Sequence, residues 1–167
     1  MIGKALLAMG GLAALAFGGL FVWGLSLPTT MTAERAVQFA ATPEQVHARI
    51  SDVRGQQAWR SDIGRVEVSA DGKRWTEFPE DGSTLAFRLV ESRPAATFVI
   101  AYTSSLGFAG RWRAELAPEC GGTRGVFIEE ITVPNPLLRA ISRLASPPGQ
   151  HLDLYLADLQ RVTGSQQ

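Results

Sequence analysis

Between Arg65 and Val133 the chain alternates apolar and polar residues over run after run, each closed by turn chemistry. Successive side chains of a strand point to opposite faces, so such alternation specifies a sheet with one apolar face and one wet face. Val66, Val68 and Ala70 alternate with Arg65, Glu67 and Ser69, and Asp71-Gly72 supplies a hairpin turn. Arg74–Phe78 follows, then Asp81-Gly82, then Thr84–Ser92 with Leu85, Phe87 and Leu89 on one face. Arg93-Pro94 breaks the chain before Thr97–Ser104, where Phe98, Ile100 and Tyr102 share a face. Ala109–Leu116 sets Trp112, Ala114 and Leu116 against Arg111, Arg113 and Glu115, and Gly121-Gly122 turns into a last strand ending near Val133. Consecutive hairpins of this kind make an antiparallel sheet whose apolar face must be covered.

The period then changes. Leu137–Leu144 predicts one or two helical turns, and Pro147-Pro148 leads into a helix running to about Val162. Leu152, Tyr155, Leu156, Leu159 and Val162 fall on one stripe of it, with Asp153, Asp158 and Arg161 off the stripe. Upstream, Glu34–Ala40 reads as a strand, and Thr42-Pro43-Glu44 has the cap, proline and acid that start a helix. A second short helix reaches Trp59, a packing anchor where the small helices meet the sheet. Laying the final helix across the sheet buries both apolar faces at once, which makes the fold α+β.

At the N-terminus, Ala5 to Leu27 runs without a charge and with one hydroxyl, Ser26. As a helix it spans roughly 34 Å, enough for a hydrocarbon core of about 30 Å. Lys4 and the terminal amine precede it, so the expected orientation places the N-terminus inside and the rest outside. Cleavage as a signal peptide at Ala14-Leu15-Ala16 would leave Phe17 to Leu27 as an exposed apolar tail, so an uncleaved anchor is the better fit. Residues 1–28 are therefore expected to form a transmembrane anchor and 29–167 a single domain. Gly10, Ala14 and Gly18 form a small-residue stripe through which two helices could pair as a weak homodimer. Fourteen of the sixteen basic residues are Arg, which suggests a GC-rich bacterial sequence. On that reading the domain stands on the periplasmic side of a cytoplasmic (inner) membrane, held by a single pass.

Sixteen basic residues balance sixteen acidic ones, so no nucleic-acid partner is expected. One cysteine, Cys120, excludes an internal disulfide framework and a Cys-rich zinc site. With only His47 and His151, a multi-histidine metal centre is not expected, and neither is a cofactor. Cys120 sits in a Pro-Glu-Cys-Gly-Gly turn, His47 is expected on the solvated face of its helix, and His151 at the start of the last helix.

Ala41-Thr42-Pro43-Glu44-Gln45-Val46, Asp52, Trp59 and Ile63 resemble the opening of the SRPBCC group of the START-like superfamily. Gly110-Arg111-Trp112, Gly122-Thr123-Arg124, Glu129, Asn135-Pro136 and Tyr155-Leu156 with Leu159 continue the resemblance, which covers about Glu34 to Thr163. It implies a helix-grip fold: a seven-stranded antiparallel sheet curled around the C-terminal helix, with two small helices after the first strand. It also implies a cavity between sheet and helix used for hydrophobic or amphipathic ligands. The superfamily's iron-oxygenase branch needs paired histidines and a carboxylate, a set this chain lacks.

Within that frame Phe87, Tyr102, Trp112 and Phe127 carry the inward parity and Tyr155 lies on the helix stripe. Glu129 shares parity with Phe127, Ile131 and Val133, whereas Glu130 must face outward. A carboxylate on the apolar face has a raised pKa unless paired, and could orient a ligand's polar end or act as a general acid. The expected ligand contacts are thus Phe87, Tyr102, Trp112, Phe127, Glu129 and Tyr155, with no catalytic residue assigned. The first functional reading is a noncatalytic domain that binds a hydrophobic small molecule or lipid beside the membrane. The alternatives are a small cyclase/dehydrase-type enzyme using Glu129 or Tyr102 as acid–base group, and an envelope protein-interaction module.

Overall fold

A computed structural model describes the backbone of residues 2–145 and 147–164 and, in the first helix, the side chains from Leu15 onward. Helix α1 (Ile2–Ser26) leads into β1 (Thr30–Phe39), α2 (Pro43–Ser51) and a single 3-10 turn at Gly55–Ala58. Six strands follow: β2 (Arg65–Val68), β3 (Arg74–Phe78), β4 (Leu85–Arg93), β5 (Thr97–Ser104), β6 (Ala109–Glu119) and β7 (Gly122–Thr132). Helices α3 (Pro136–Ala145) and α4 (Gln150–Thr163) close the described chain. All pairings are antiparallel and the sheet runs β1-β7-β6-β5-β4-β3-β2, so the first strand closes beside the last.

Local chemistry explains the boundaries. Thr42 Oγ1 accepts from the Gln45 backbone N–H while Gln45 Oε1 accepts from that of Thr42, a reciprocal cap, and Pro43 occupies the first turn. Gly72 takes φ 68° in the β2–β3 turn, a conformation that costs glycine little, and Ser69 donates to Asp71 to close it. Beneath the sheet, α2 delivers Val46 and Ile50, and α4 delivers Leu152, Leu156 and Leu159, to a core with Phe39, Phe98, Trp112 and Phe127. Trp59 joins that core and meets Tyr155 edge-on at 5.5 Å.

Polar contacts fix α4 along its length. Arg35 on β1 pairs with Asp153, the Ser61 backbone N–H donates to Asp158 at 2.7 Å, and Arg161 reaches the Trp59 carbonyl at 2.7 Å. Burial works against the Asp158 charge, but donation from Arg161 and Ser61 holds its pKa below the ordinary value.

One expectation needs correction. His47 is buried, not solvated: it packs edge-on to Phe98 at 6.0 Å, lies 3.2 Å from Ser92 Oγ, and burial lowers its pKa. The uncharged run lies in α1 as far as Ser26, and among the described residues no helix is long and apolar enough to cross a membrane. Gly10 and Ala14 lie outside the residues whose surroundings are described, and Gly18 is exposed. The C-terminal end of α1 packs on α3, where Gly24 lies against the Pro136 carbonyl and Arg139 donates to Leu27 O and Thr29 Oγ1.

Candidate functional site

Between the concave face of the sheet and α4 lies a cavity of about 350 Å³, with Leu106, Pro147 and Pro148 at its exposed rim. One wall is an aromatic ladder set by strand register. Trp75 on β3 is opposite Phe87 on β4, which is opposite Tyr102 on β5. Trp75 and Phe87 stack at 5.2 Å with parallel planes, and Phe87 lies 5.2 Å from Tyr102. Trp112 on β6 and Tyr155 on α4 meet edge-on at 5.3 Å and complete the apolar lining.

Glu129 is set into this surface by β7, directly opposite Trp112. Tyr102 Oη donates to Glu129 Oε1 at 2.8 Å, reaching across β6 at Gly110, where the missing side chain leaves room for the ring. Burial raises the Glu129 pKa, partly offset by the Tyr102 bond and the charges of His151 and Arg60. Burial likewise raises that of Tyr102, and the neighbouring carboxylate adds to it. The pair is thus a carboxyl group inclined to hold its proton and a phenol that does not release its own.

A second polar station stands beside Tyr155. Arg60 donates through Nε and Nη2 to both oxygens of Asp62 at 3.0 and 2.7 Å, and through Nη1 to Glu77 and to Gln56 Oε1 at 3.0 Å. Its guanidinium lies 5.2 Å from the Tyr155 ring centre, and Trp75 Nε1 donates to Glu77 Oε1 at 3.0 Å. Burial would lower the Arg60 pKa, but the charge of Glu77 and the bonds to Asp62 raise it, so the cation is locked in. Burial raises the Glu77 pKa, and Arg60 counteracts part of that rise.

Of the six expected contacts, Phe87, Tyr102, Trp112, Glu129 and Tyr155 lie in the cavity wall. Phe127 does not: it is fully buried against Phe39 at 5.9 Å, a core residue rather than a wall residue. Its parity is inward, but at that point of β7 the helices lie directly on the sheet and leave no space. Arg60, Asp62, Trp75 and Glu77 escaped the sequence reading. Trp75 and Glu77 share strand parity, and a carboxylate two residues from a tryptophan on one face was the available signal. From sequence the parity of Trp75 is ambiguous, because Arg74 and Thr76 do not make a convincing outer or inner pair. Among the described residues no group of three or more His, Cys, Asp or Glu side chains is placed to hold a metal ion.

A curved antiparallel sheet gripping a C-terminal helix over an aromatic-lined cavity defines a START-like, helix-grip protein. Residues 30–154 match the family described as polyketide cyclase / dehydrase and lipid transport, and the chain belongs to that family. Among similar solved structures is a START superfamily protein from Mycobacterium smegmatis, 16% identical, with TM-score 0.61 over 79% of this chain and 96% of that one. Norcoclaurine synthase from Thalictrum is 10% identical with TM-score 0.64 over 80% of this chain and 94% of that one. The di-domain ARO/CYC protein of the steffimycin biosynthetic pathway is 12% identical with TM-score 0.64, over 81% of this chain and 51% of that one. At these identities the likeness is one of fold. None of the curated proteins compared matches the chain.

Proposed function

We propose that this chain is a membrane-tethered, noncatalytic START-like domain that holds a hydrophobic or amphipathic small molecule or lipid between its sheet and α4. The observation that carries the reading is the cavity itself: about 350 Å³, with a mostly aromatic and aliphatic surface and polar groups that include the Tyr102–Glu129 pair and the Arg60 cluster. That is the composition expected of a site that buries an apolar body and orients one polar end. The uncharged run from Ala5 to Leu27 supports tethering, and exposed Leu15, Phe17 and Val22 give its helix an apolar surface in search of a cover. A tether keeps the cavity mouth close to the bilayer from which a lipophilic ligand is collected. The excess of charge before the run supports a periplasmic placement on the inner membrane.

The test is to express the full chain, recover it from the membrane fraction, and compare native with denaturing mass spectra. A reproducible small-molecule adduct lost on denaturation is the expected result. A bare mass together with no response to a lipophilic fluorescent probe would overturn the binding reading, and recovery in the soluble fraction would overturn the tether.

The Tyr102–Glu129 pair favours one second reading, an acid–base enzyme of the cyclase/dehydrase type. A buried carboxyl group whose pKa is raised by burial can donate its proton to a substrate oxygen or nitrogen. Full turnover of an identified substrate by both Glu129→Gln and Tyr102→Phe would remove that reading.

A further inference from the structure

The cavity is asymmetric in charge. Among the described residues Arg60 is the one Lys or Arg in its lining, against Asp62, Glu77, Asp81 and Glu129. Each of the three guanidinium nitrogens already donates, two of them to Asp62 and one to Glu77 and Gln56. An incoming anion therefore meets no nitrogen of Arg60 that is not already engaged. It meets instead a cluster in which two carboxylates outnumber one cation. His151, at the rim, sits in the field of both Asp81 and Glu129.

Glu129 offers the opposite. Its Oε1 accepts from Tyr102, while Oε2 has no hydrogen-bond partner among the described residues, although the side chain lines the cavity. Trp112 stands opposite it in the register, Tyr102 bonds to it, and Phe87 lies beyond Tyr102 at 5.2 Å in the same wall. A cation beside a carboxylate gains a charge-assisted hydrogen bond, and aromatic faces add a favourable electrostatic contact. A second carboxylate placed there would lose its hydration, and against an ionised Glu129 it would meet repulsion.

We propose that the cavity selects an amphiphile with a cationic polar end, its ammonium against Glu129 Oε2 and its apolar body along the aromatic ladder, and rejects carboxylate-headed chains. The inference rests on the ligand-binding reading above and names the class of ligand it takes. Binding ionises Glu129, and its proton passes to solvent, so the amine prefers the site most where the carboxyl group is already ionised.

The experiment is calorimetric titration of the full chain in nanodiscs at pH 7 with octylamine, octanol and octanoate, empty nanodiscs serving as the blank. Octylamine is expected to bind at least about tenfold more tightly than octanol, and octanoate more weakly than both. Glu129→Gln is expected to remove most of the preference for octylamine over octanol. Octanoate binding to the native chain as tightly as octylamine overturns the inference even if the variant fails to fold. A folded Glu129→Gln protein that keeps the amine preference overturns the role of Glu129. Heat from none of the three overturns the ligand-binding reading and the inference together, whereas octanol binding without amine preference overturns only the inference.

Discussion

Gly110→Ala is the sharpest test of how the polar pair is built, because glycine's missing side chain is what lets Tyr102 cross β6 to reach Glu129. Gly110 stands opposite Tyr102 in the β5–β6 register and opposite Ile131 on β7. A Cβ at Gly110 would collide with the Tyr102 ring and hydroxyl, with Cε1 at 2.7 Å. Its φ is not positive, so alanine meets no backbone penalty and the effect is steric. Tyr102 has little freedom to yield, being 8% exposed and held between Phe87 at 5.2 Å and Phe108 at 6.5 Å. Overpacking at such a site costs about 1–3 kcal/mol. Withdrawing the hydroxyl from a buried carboxyl group costs about 1–3 kcal/mol more. The sum, roughly 2–6 kcal/mol, is expected to lower Tm by about 5–15 °C for a chain of this size. Thermal and urea unfolding of the full chain measure it, and the same substitution in a Tyr102→Leu background isolates the collision. There the cost is expected to fall by at least half. A Gly110→Ala protein as stable as the parent, or one equally destabilised in both backgrounds, would refute the reasoning.

Arg60→Met strips the cation from a buried carboxylate and is expected to cost about 3–5 kcal/mol in urea unfolding, part of it recovered by adding Glu77→Gln. No recovery in the double variant would mean that Arg60 acts through packing alone. Phe127→Ala is expected to cost about 3–5 kcal/mol as a core truncation, whereas Phe87→Ala is expected to weaken retention of a lipophilic probe with the fold kept. Equal stability losses would sink the division between core and wall. Stability is expected to fall as pH rises from the ordinary carboxylate value of 4.5, because native Glu129 and Glu77 hold protons that the unfolded chain has released. The fall ends once both folded values are passed. On the acid side, Asp71, Asp81, Asp153 and Asp158, whose folded pKa values are lowered from 3.8, contribute stability that is lost as pH falls through those values. Glu129→Gln is therefore expected to flatten the decline above pH 4.5 in a series of Tm measurements, and an unchanged slope would count against a raised Glu129 pKa.

The parts of this molecule that could be read ahead of its structure are those governed by local rules. Strand parity placed Phe87, Tyr102, Trp112 and Glu129 on the inner face, and cap chemistry at Thr42-Pro43 started α2 where it begins. Parity reports which face a residue takes but not what lies opposite. Phe127 and Trp112 lie 5.6 Å apart on the same face of the sheet, yet Phe127 meets only core and Trp112 also meets open space. That difference depends on where α2 and α4 sit against the sheet, and it is settled by contacts between residues far apart in the chain. The Arg60 station is harder still, because it joins a loop residue after the 3-10 turn to Glu77 on a strand whose apolar signal is split between Trp75 and Phe78. Arg60 reads as an ordinary surface arginine beside Ser61 and Asp62. Its burial follows from the partners: a carboxylate held under Trp75 is stable only with a cation close at hand, and Arg60, fixed by Asp62, is the cation that the fold delivers. Because that cation is consumed in stabilising the wall, it is Glu129, bonded through Oε1 to Tyr102, that offers a ligand an acceptor at Oε2 beside Trp112.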